Sequence, residues 1–483
     1  MTKPALAQSA TMLCCRAMRT SDIFDLLIIG GGINGVGIAR DAAGRGLKVL
    51  LCDKGDLAGA TSSASSKMIH GGLRYLEHGA FRLVRESLAE REVLLRIAPH
   101  LVRPMRFVLP HGPGLRPRWM LRAGLFLYDR LGGARSLPAS AAIDLTDSLL
   151  GAPLRDELTS GFVYSDCVVD DARLTIANAR DAARHGAEIL TRAELVAARR
   201  DSDFWRATLR GADGGEREAA ARTLVNVAGP WVSEVLRRAE LKSRARLRLD
   251  KGSHIVVPQL YAHNHAYLLQ NDDRRVVFAI PYERDYTLIG TTEVAAVVPP
   301  ADAPSDGEVA YLCRAVGRWF KHAPEPGDVV WRYSGLRPLY DDGSKSASAT
   351  SRDYVFELDD EGAPALSVFG GKLTTYRRLA EAALLRLAPY LSDMGPPWTH
   401  QAPLPDDDAR VGAAADNEFA PGLGRAEVDF LMREEWAQTA DDILWRRTKL
   451  GLVATPHQRA ALEAYLASRM AEAAAPATRT TDR

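Results

Sequence analysis

Phe24-Asp25-Leu26-Leu27-Ile28-Ile29-Gly30-Gly31-Gly32-Ile33-Asn34-Gly35 is the stretch that decides the fold. Residues 24–29 are apolar apart from Asp25 and read as a short buried strand. Residues 33–45 carry helical spacing, and 47–52 form a second apolar run, which gives strand, glycine turn, helix, strand. The turn satisfies G-x-G-x-x-G. Gly30 permits the tight turn, Gly32 the close approach of a pyrophosphate, and Gly35 the contact of helix with strand. The helix amides beyond Asn34 are placed to hold an anion. Asp53, at the end of the second strand, is expected to accept the hydroxyls of an adenosine ribose. The alternative for the motif alone is a structural glycine turn.

Composition bounds what surrounds this unit. The chain has 483 residues, 46% hydrophobic and 25% charged, which suits a soluble protein of two or three domains. A net charge of +1, from 62 basic and 61 acidic residues, offers no global field for nucleic acid, so none is expected as a partner. Cys14, Cys15, Cys52, Cys167 and Cys313 make no C-x-x-C pair and no even framework, so neither a structural metal nor a disulfide scaffold is expected. No apolar run is long enough to span a bilayer. Residues 1–22 lack a signal-peptide core and read as a disordered extension, with Met18 as a candidate translation start.

Further along, 86–97 and 175–185 read as helices, and 187–196 and 222–227 as strands returning to the first sheet. Residues 253–257, 275–280 and 286–289 are short runs with turns between them, the pattern of an antiparallel sheet in a second domain. Residues 373–391 form a strong helix, and the rest is mostly helical. The expected division is a discontinuous first domain of 23–102, 160–250 and 350–392. A second domain takes 103–159 and 251–349. A helical domain takes 393–483, with a linker at 405–424.

The run Thr61-Ser62-Ser63-Ala64-Ser65-Ser66-Lys67-Met68-Ile69-His70-Gly71-Gly72-Leu73-Arg74-Tyr75 crowds hydroxyls, a lysine and paired glycines behind the second strand. A nicotinamide site has little use for it. A flavin needs small residues for close approach and donors at its polar edge, although composition alone equally allows a solvated Ser-rich loop. With Lys251-Gly252-Ser253-His254, Tyr333-Ser334-Gly335-Leu336-Arg337-Pro338 and Gly370-Gly371-Lys372-Leu373-Thr374-Thr375-Tyr376, these motifs resemble the FAD-dependent glycerol-3-phosphate dehydrogenases over about 24–400. The resemblance implies an α/β fold: an FAD-binding Rossmann-like domain of the D-amino-acid oxidase and glycine oxidase type, an antiparallel-sheet cap, and a C-terminal helical domain. It also implies glycerol 3-phosphate as substrate and membrane quinone as electron acceptor. The protein is then expected in the cytoplasm, peripheral on the cytoplasmic face of the inner membrane, with a homodimer kept among the candidate assemblies. The region after 400 looks shorter than that family's.

The expected FAD contacts are Gly30, Gly32, Asn34, Gly35 and Asp53 from the first unit, and Thr61, Ser62, Ser66, Lys67, His70 and Gly71 from the Ser-rich run. Gly229 ends a strand in Val227-Ala228-Gly229-Pro230-Trp231. Gly370, Gly371, Lys372, Leu373 and Thr374 lead into a helix whose dipole favours an anionic reduced flavin. A phosphate dianion wants guanidinium groups, for which Arg74, Arg337 and Arg352 are candidates. The resemblance points to Arg74 and Arg337, with Tyr75 and Lys372 as further donors. Moving hydride from C2 to flavin N5 requires a base for the hydroxyl proton. His254 is the choice, with Arg337 beside it, against His70 as rival and a satisfied core histidine as the structural alternative.

Arg103, Arg106, Arg116, Arg118, Arg122 and Arg130 cluster with Trp119, Phe126 and Tyr128. They can dock on an anionic lipid surface, or their segment can pack its leucines (Leu121, Leu125, Leu127, Leu131) inward and leave a solvated basic face. Two other functions stay open: an oxidase using oxygen or an amine substrate, and a non-catalytic FAD-binding interaction protein. A single carboxylate-binding arginine would suit an amino acid better than a cluster does.

Overall fold

A computed structural model of the chain describes residues 23–112, 115–133, 136–273, 275–296, 298–300, 303–341, 353–406 and 418–474. The extension 1–22 and most of the linker, 407–417, lie outside them.

Ile23–Ile29 runs parallel to Val49–Cys52 on one side and to Glu216–Asn226 on the other. The sheet continues in the order Val355–Asp359, Ala365–Phe369, Glu216–Asn226, Ile23–Ile29, Val49–Cys52, Glu188–Leu190, with a hairpin of Ala193–Asp201 and Phe204–Gly211 paired to the first half of Glu216–Asn226. Central strands of a parallel sheet are covered on both faces, which explains their unbroken apolar runs: Leu26, Leu27, Ile28, Leu50 and Leu51 are fully buried. The helices Ile33–Gly44, Asp171–Arg184 and Tyr376–Leu387 pack on one another over one face.

The second sheet follows the order Val294–Ala296, Leu247–Pro258, Tyr286–Gly290, Val276–Tyr282, Ala266–Gln270, Val102–His111, Ser160–Val169, Met68–Ile69. Trp331–Tyr340 also pairs antiparallel with Leu247–Pro258. Its pairings are antiparallel except where Ala266–Gln270 meets Val102–His111.

Three expected boundaries shift. Ser160–Val169, assigned to the first domain, pairs along its whole length with Val102–His111 in the second sheet. A largely buried strand carries no mark of which sheet it joins. Residues 393–404 belong with the first domain: Trp398 donates to the Asp41 carbonyl at 3.2 Å, the Leu404 amide donates to the Ile97 carbonyl at 2.7 Å, and Leu404 joins the first core. The end of the proposed linker is core, because Phe419, Ala420 and Leu423 are buried with Val428, Leu431 and Ile443 in the C-terminal helical unit.

Candidate active site

The glycine turn opens the larger of two adjoining cavities. Gly30 has φ +124°, and a Cβ there would sit 2.6 Å from the Val227 carbonyl oxygen, so only glycine fits. The helix that follows, Ile33–Gly44, has no acid in its first turn. Its first amide, Ile33 N–H, donates to the Ser62 hydroxyl at 2.9 Å. The cavity encloses about 610 Å³. Gly30, Gly32, Asn34, Asp53, Thr61 and Ser62 line it. Gly229, Gly370, Gly371, Lys372 and Leu373, from two later segments, line it as well.

Asp53 accepts from the Gly31 amide at 2.6 Å and from the Gly55 amide at 2.7 Å. Burial pushes its carboxyl up, and those two amides oppose the shift. Gly370 and Gly371 both have left-handed φ, +80° and +103°, which carries the chain past Asn34: a Cβ on Gly371 would lie 2.7 Å from the Asn34 amide nitrogen. The Asn34 side-chain oxygen is buried without a hydrogen-bond partner among the described residues. An anion-ready helix end, glycine-only walls and an orphaned polar atom fit a dinucleotide.

The smaller cavity, about 290 Å³, shares Thr61, Pro338, Gly371, Lys372 and Leu373 with the first. His254, Arg337, Arg74, Tyr75, Ser66, His70 and Thr374 line it. Four segments remote in sequence thus meet here.

Strand alternation explains which part of Lys251-Gly252-Ser253-His254 faces the cavity. Gly252 and His254 point in. Lys251 and Ser253 point away, to Glu308: Lys251 Nζ lies 2.8 Å from its carboxylate and the Ser253 hydroxyl donates at 2.7 Å. His254 Nε2 is 2.9 Å from the Ser66 hydroxyl, and its ring stacks on the cross-strand Tyr333 at 4.9 Å. Burial, with the cations Arg337 and Lys67, holds the imidazole well below its ordinary range, so the ring is neutral. Two glycines make the room. A Cβ on Gly290 would lie 2.0 Å from His254 Cδ2, and one on Gly252 would lie 2.5 Å from an Arg337 guanidinium nitrogen. Arg337 also donates to the Thr291 hydroxyl at 3.2 Å. Lys372 Nζ sits 4.0 Å over the Tyr75 ring.

Arg275 lines this cavity too, which the sequence did not single out, since an arginine at a strand edge reads as a solvated charge. With Arg74, Arg337 and Lys372 it makes four cations around one described lining acid, Glu293.

Three expected cofactor contacts need correction. Lys67 lines neither cavity. Its ammonium is buried against Asp171 Oδ1 at 2.7 Å and the Ser63 carbonyl at 3.0 Å, a cation beneath the loop rather than on its surface. Gly71 lines neither, because its amide donates to the Tyr128 hydroxyl at 2.8 Å and a Cβ would strike Leu88. Gly35 is a packing residue, where a Cβ would lie 1.9 Å from the Gly30 carbonyl oxygen. Arg352 lies outside the described residues.

The chain matches the FAD dependent oxidoreductase family over residues 25–377. It is 50% identical to a glycerol-3-phosphate dehydrogenase of Pseudomonas aeruginosa, across 93% of this chain and 96% of that protein. It is 49% identical to a D-erythritol 1-phosphate dehydrogenase of Brucella abortus, across 92% and 98%. Among solved structures it resembles a glycerol-3-phosphate dehydrogenase from Bacillus halodurans complexed with FAD, with TM-score 0.73, 25% identity, and coverage of 93% and 91%. The chain spans nearly all of the length of these two relatives, but its match to a glycerol-3-phosphate dehydrogenase of Mycobacterium leprae, 39% identical, takes in 75% of this chain and 62% of that protein.

Proposed function

The chain belongs to the FAD-dependent oxidoreductase family, and from that premise we propose that it oxidises sn-glycerol 3-phosphate to dihydroxyacetone phosphate. The observation that carries this reading is that Arg74, Arg275, Arg337 and Lys372 line one cavity with a buried neutral histidine, and that this cavity shares residues with the FAD site. Bound FAD supplies a two-electron acceptor for the C2 hydrogen. The chain supplies the rest. Arg337 and Arg74 hold the phosphate by charge-assisted hydrogen bonds, with Lys372 and Tyr75 beside them. His254 Nε2 accepts the C2 hydroxyl proton, with the Ser66 hydroxyl next to it. Loss of that proton and departure of the hydride leave the C2 carbonyl.

Within this proposal the electrons pass on to a membrane quinone from the cytoplasmic face. No helix among the described residues is long and apolar enough to cross a bilayer. Support for a peripheral attachment comes from the helix Arg118–Leu131. It buries Leu121, Leu125 and Tyr128 but leaves Trp119 72% and Phe126 56% exposed, among the exposed Arg118, Arg122 and Arg130. In this proposal the helix packs two leucines inward and presents its aromatic side chains, between cations, to the lipid surface.

The Brucella relative favours a second substrate, a tetritol phosphate, because it is as similar as the glycerol-phosphate relative and the same cations would hold its phosphate. The test is anaerobic bleaching of the purified protein's flavin spectrum by glycerol 3-phosphate, D-erythritol 1-phosphate, glycerol and amino acids in parallel. Bleaching by glycerol 3-phosphate fastest and by glycerol not at all is the expected result. No bleaching by any phosphate ester overturns the assignment, and preference for the tetritol ester transfers it to the second reading.

A further inference from the structure

The larger cavity has a wall that neither the glycine turn nor the second sheet supplies. Thr439, Asp441, Asp442 and Arg446, from the C-terminal helical unit, line it together with Gly30, Gly32 and Asp53. That unit lies beyond the stretch, 25–377, that matches the oxidoreductase family.

These residues are fastened to the cofactor side by a chain of alternating charges. Arg192, in a left-handed turn after Glu188–Leu190, donates to Asp442 Oδ2 at 2.6 Å. Asp442 is buried, accepts the Gln438 and Thr439 amides at 2.7 and 2.9 Å, and on its other oxygen accepts from Arg446. Arg446 Nε then donates to Asp56 Oδ2 at 2.6 Å, and Arg447, fully buried, donates to both Asp56 oxygens, at 2.8 Å to Oδ1. Asp56 belongs to the loop that follows the second strand of the glycine unit. That loop is tied to the turn by Ala58 N–H to the Gly31 carbonyl at 3.1 Å, and to the Arg192 turn by Arg192 N–H to the Gly55 carbonyl at 2.8 Å. Lys54, Gly55, Ala58, Gly59 and Ala60 from it line the cavity.

The consequence is mechanical. One face of the loop is held by the glycine turn, and the other by arginines that come from nearly 400 positions away, 390 for Arg446 and 391 for Arg447. Burying Asp56 is tolerated because these guanidinium groups accompany it, so undocking the C-terminal unit would leave the carboxylate unpaired and free the loop. Arg446 does both jobs, since it is also one of the residues that line the cavity.

We propose that residues 439–446 are a working part of the FAD site: the C-terminal unit closes the cofactor cavity and latches the loop 53–60 through Arg446, Arg447 and Asp56, so that FAD is retained only while this unit is docked. The inference is independent of which alcohol is oxidised.

The test measures FAD itself. Apoprotein of wild type, Arg446→Gln and, as a surface control in the same unit, Arg469→Ala is titrated with FAD by flavin fluorescence, and thermal unfolding is recorded with and without FAD. Arg446→Gln is expected to weaken FAD binding about tenfold or more, with FAD raising its melting temperature less than it raises that of wild type, while Arg469→Ala binds FAD normally. Wild-type affinity in Arg446→Gln overturns the latch. An equal fall in apo and FAD-bound melting temperature with affinity unchanged also overturns it, because that is a purely structural role. Should the variant fail to fold, hydrogen exchange of the wild-type protein decides: FAD is expected to slow exchange at the Gln438 and Thr439 amides, and unchanged exchange there refutes the proposal.

Discussion

His254 Nε2 lies 2.9 Å from the Ser66 hydroxyl, across 188 positions of sequence. The strand that carries the histidine belongs to the second sheet and the serine to the Ser-rich loop, and both line the smaller cavity, so this bond ties the proposed proton acceptor to that loop.

His254→Gln keeps a polar side chain of similar size but no base. Loss of a positioned base costs about 10²–10⁴ in rate. Single-turnover reduction of the flavin by glycerol 3-phosphate is expected to slow by that range at unchanged FAD content. Reduction at the wild-type rate would remove His254 from the chemistry.

The pH dependence follows from the same ring. Burial first, then Arg337 and Lys67, depress its folded pKa well below the ordinary 6.5. Above pH 6.5 the ring is neutral in folded and unfolded chain alike. As pH falls below that, the unfolded chain takes the proton first, so stability is lost down to the folded pKa. Wild type is therefore expected to lose more melting temperature than His254→Gln on acidification from pH 6.5. Parallel losses in the two proteins would contradict a depressed pKa.

Arg337→Ala removes a charged donor that reaches over Gly252 into the cavity. Hydrogen bonds to charged groups contribute about 1.5–3 kcal/mol. The expected loss is roughly 10- to 150-fold in kcat/KM for the phosphate ester, carried mainly by KM and partly restored by added guanidinium. A change in kcat alone would place Arg337 elsewhere in the mechanism.

Gly290→Ala puts a methyl where His254 Cδ2 lies 2.0 Å away. The ring must move, and small misplacements of a catalytic group cost about 10²-fold. Flavin reduction should slow accordingly with the FAD spectrum intact. Wild-type turnover would show that the ring's present position is not needed.

Lys67→Met tests a structural role against a cofactor role. Breaking a buried ion pair on one side costs about 3–5 kcal/mol, so denaturant unfolding should show a large loss while FAD stoichiometry holds. Loss of FAD at undiminished stability would return Lys67 to the cofactor site.

Neutralising Arg118, Arg122 and Arg130 should weaken sedimentation with anionic vesicles about a hundredfold, at about 1 kcal/mol per basic side chain, and raised salt should weaken wild-type binding in the same direction. Serines at Trp119 and Phe126 should weaken it further without altering flavin reduction. Undiminished binding would eliminate this helix as the anchor.

The sequence by itself determined the strand, glycine turn and helix that open the larger cavity. The glycine turn, the acid Asp53, the Ser-rich run and Gly370-Gly371 are local devices whose spacing follows from backbone geometry, so they are legible wherever they occur. Tertiary structure decided what local spacing cannot carry. It placed Ser160–Val169 in the second sheet, because a buried strand looks alike in either sheet. Lys67 went beneath the loop instead of onto its surface, since a lysine's partner, here Asp171, can lie 104 positions away. The smaller cavity gained Arg275, and the larger one gained a C-terminal wall through Asp442 and Arg446. Each of these depends on which remote segments meet, and a linear pattern records only periodicity within a segment.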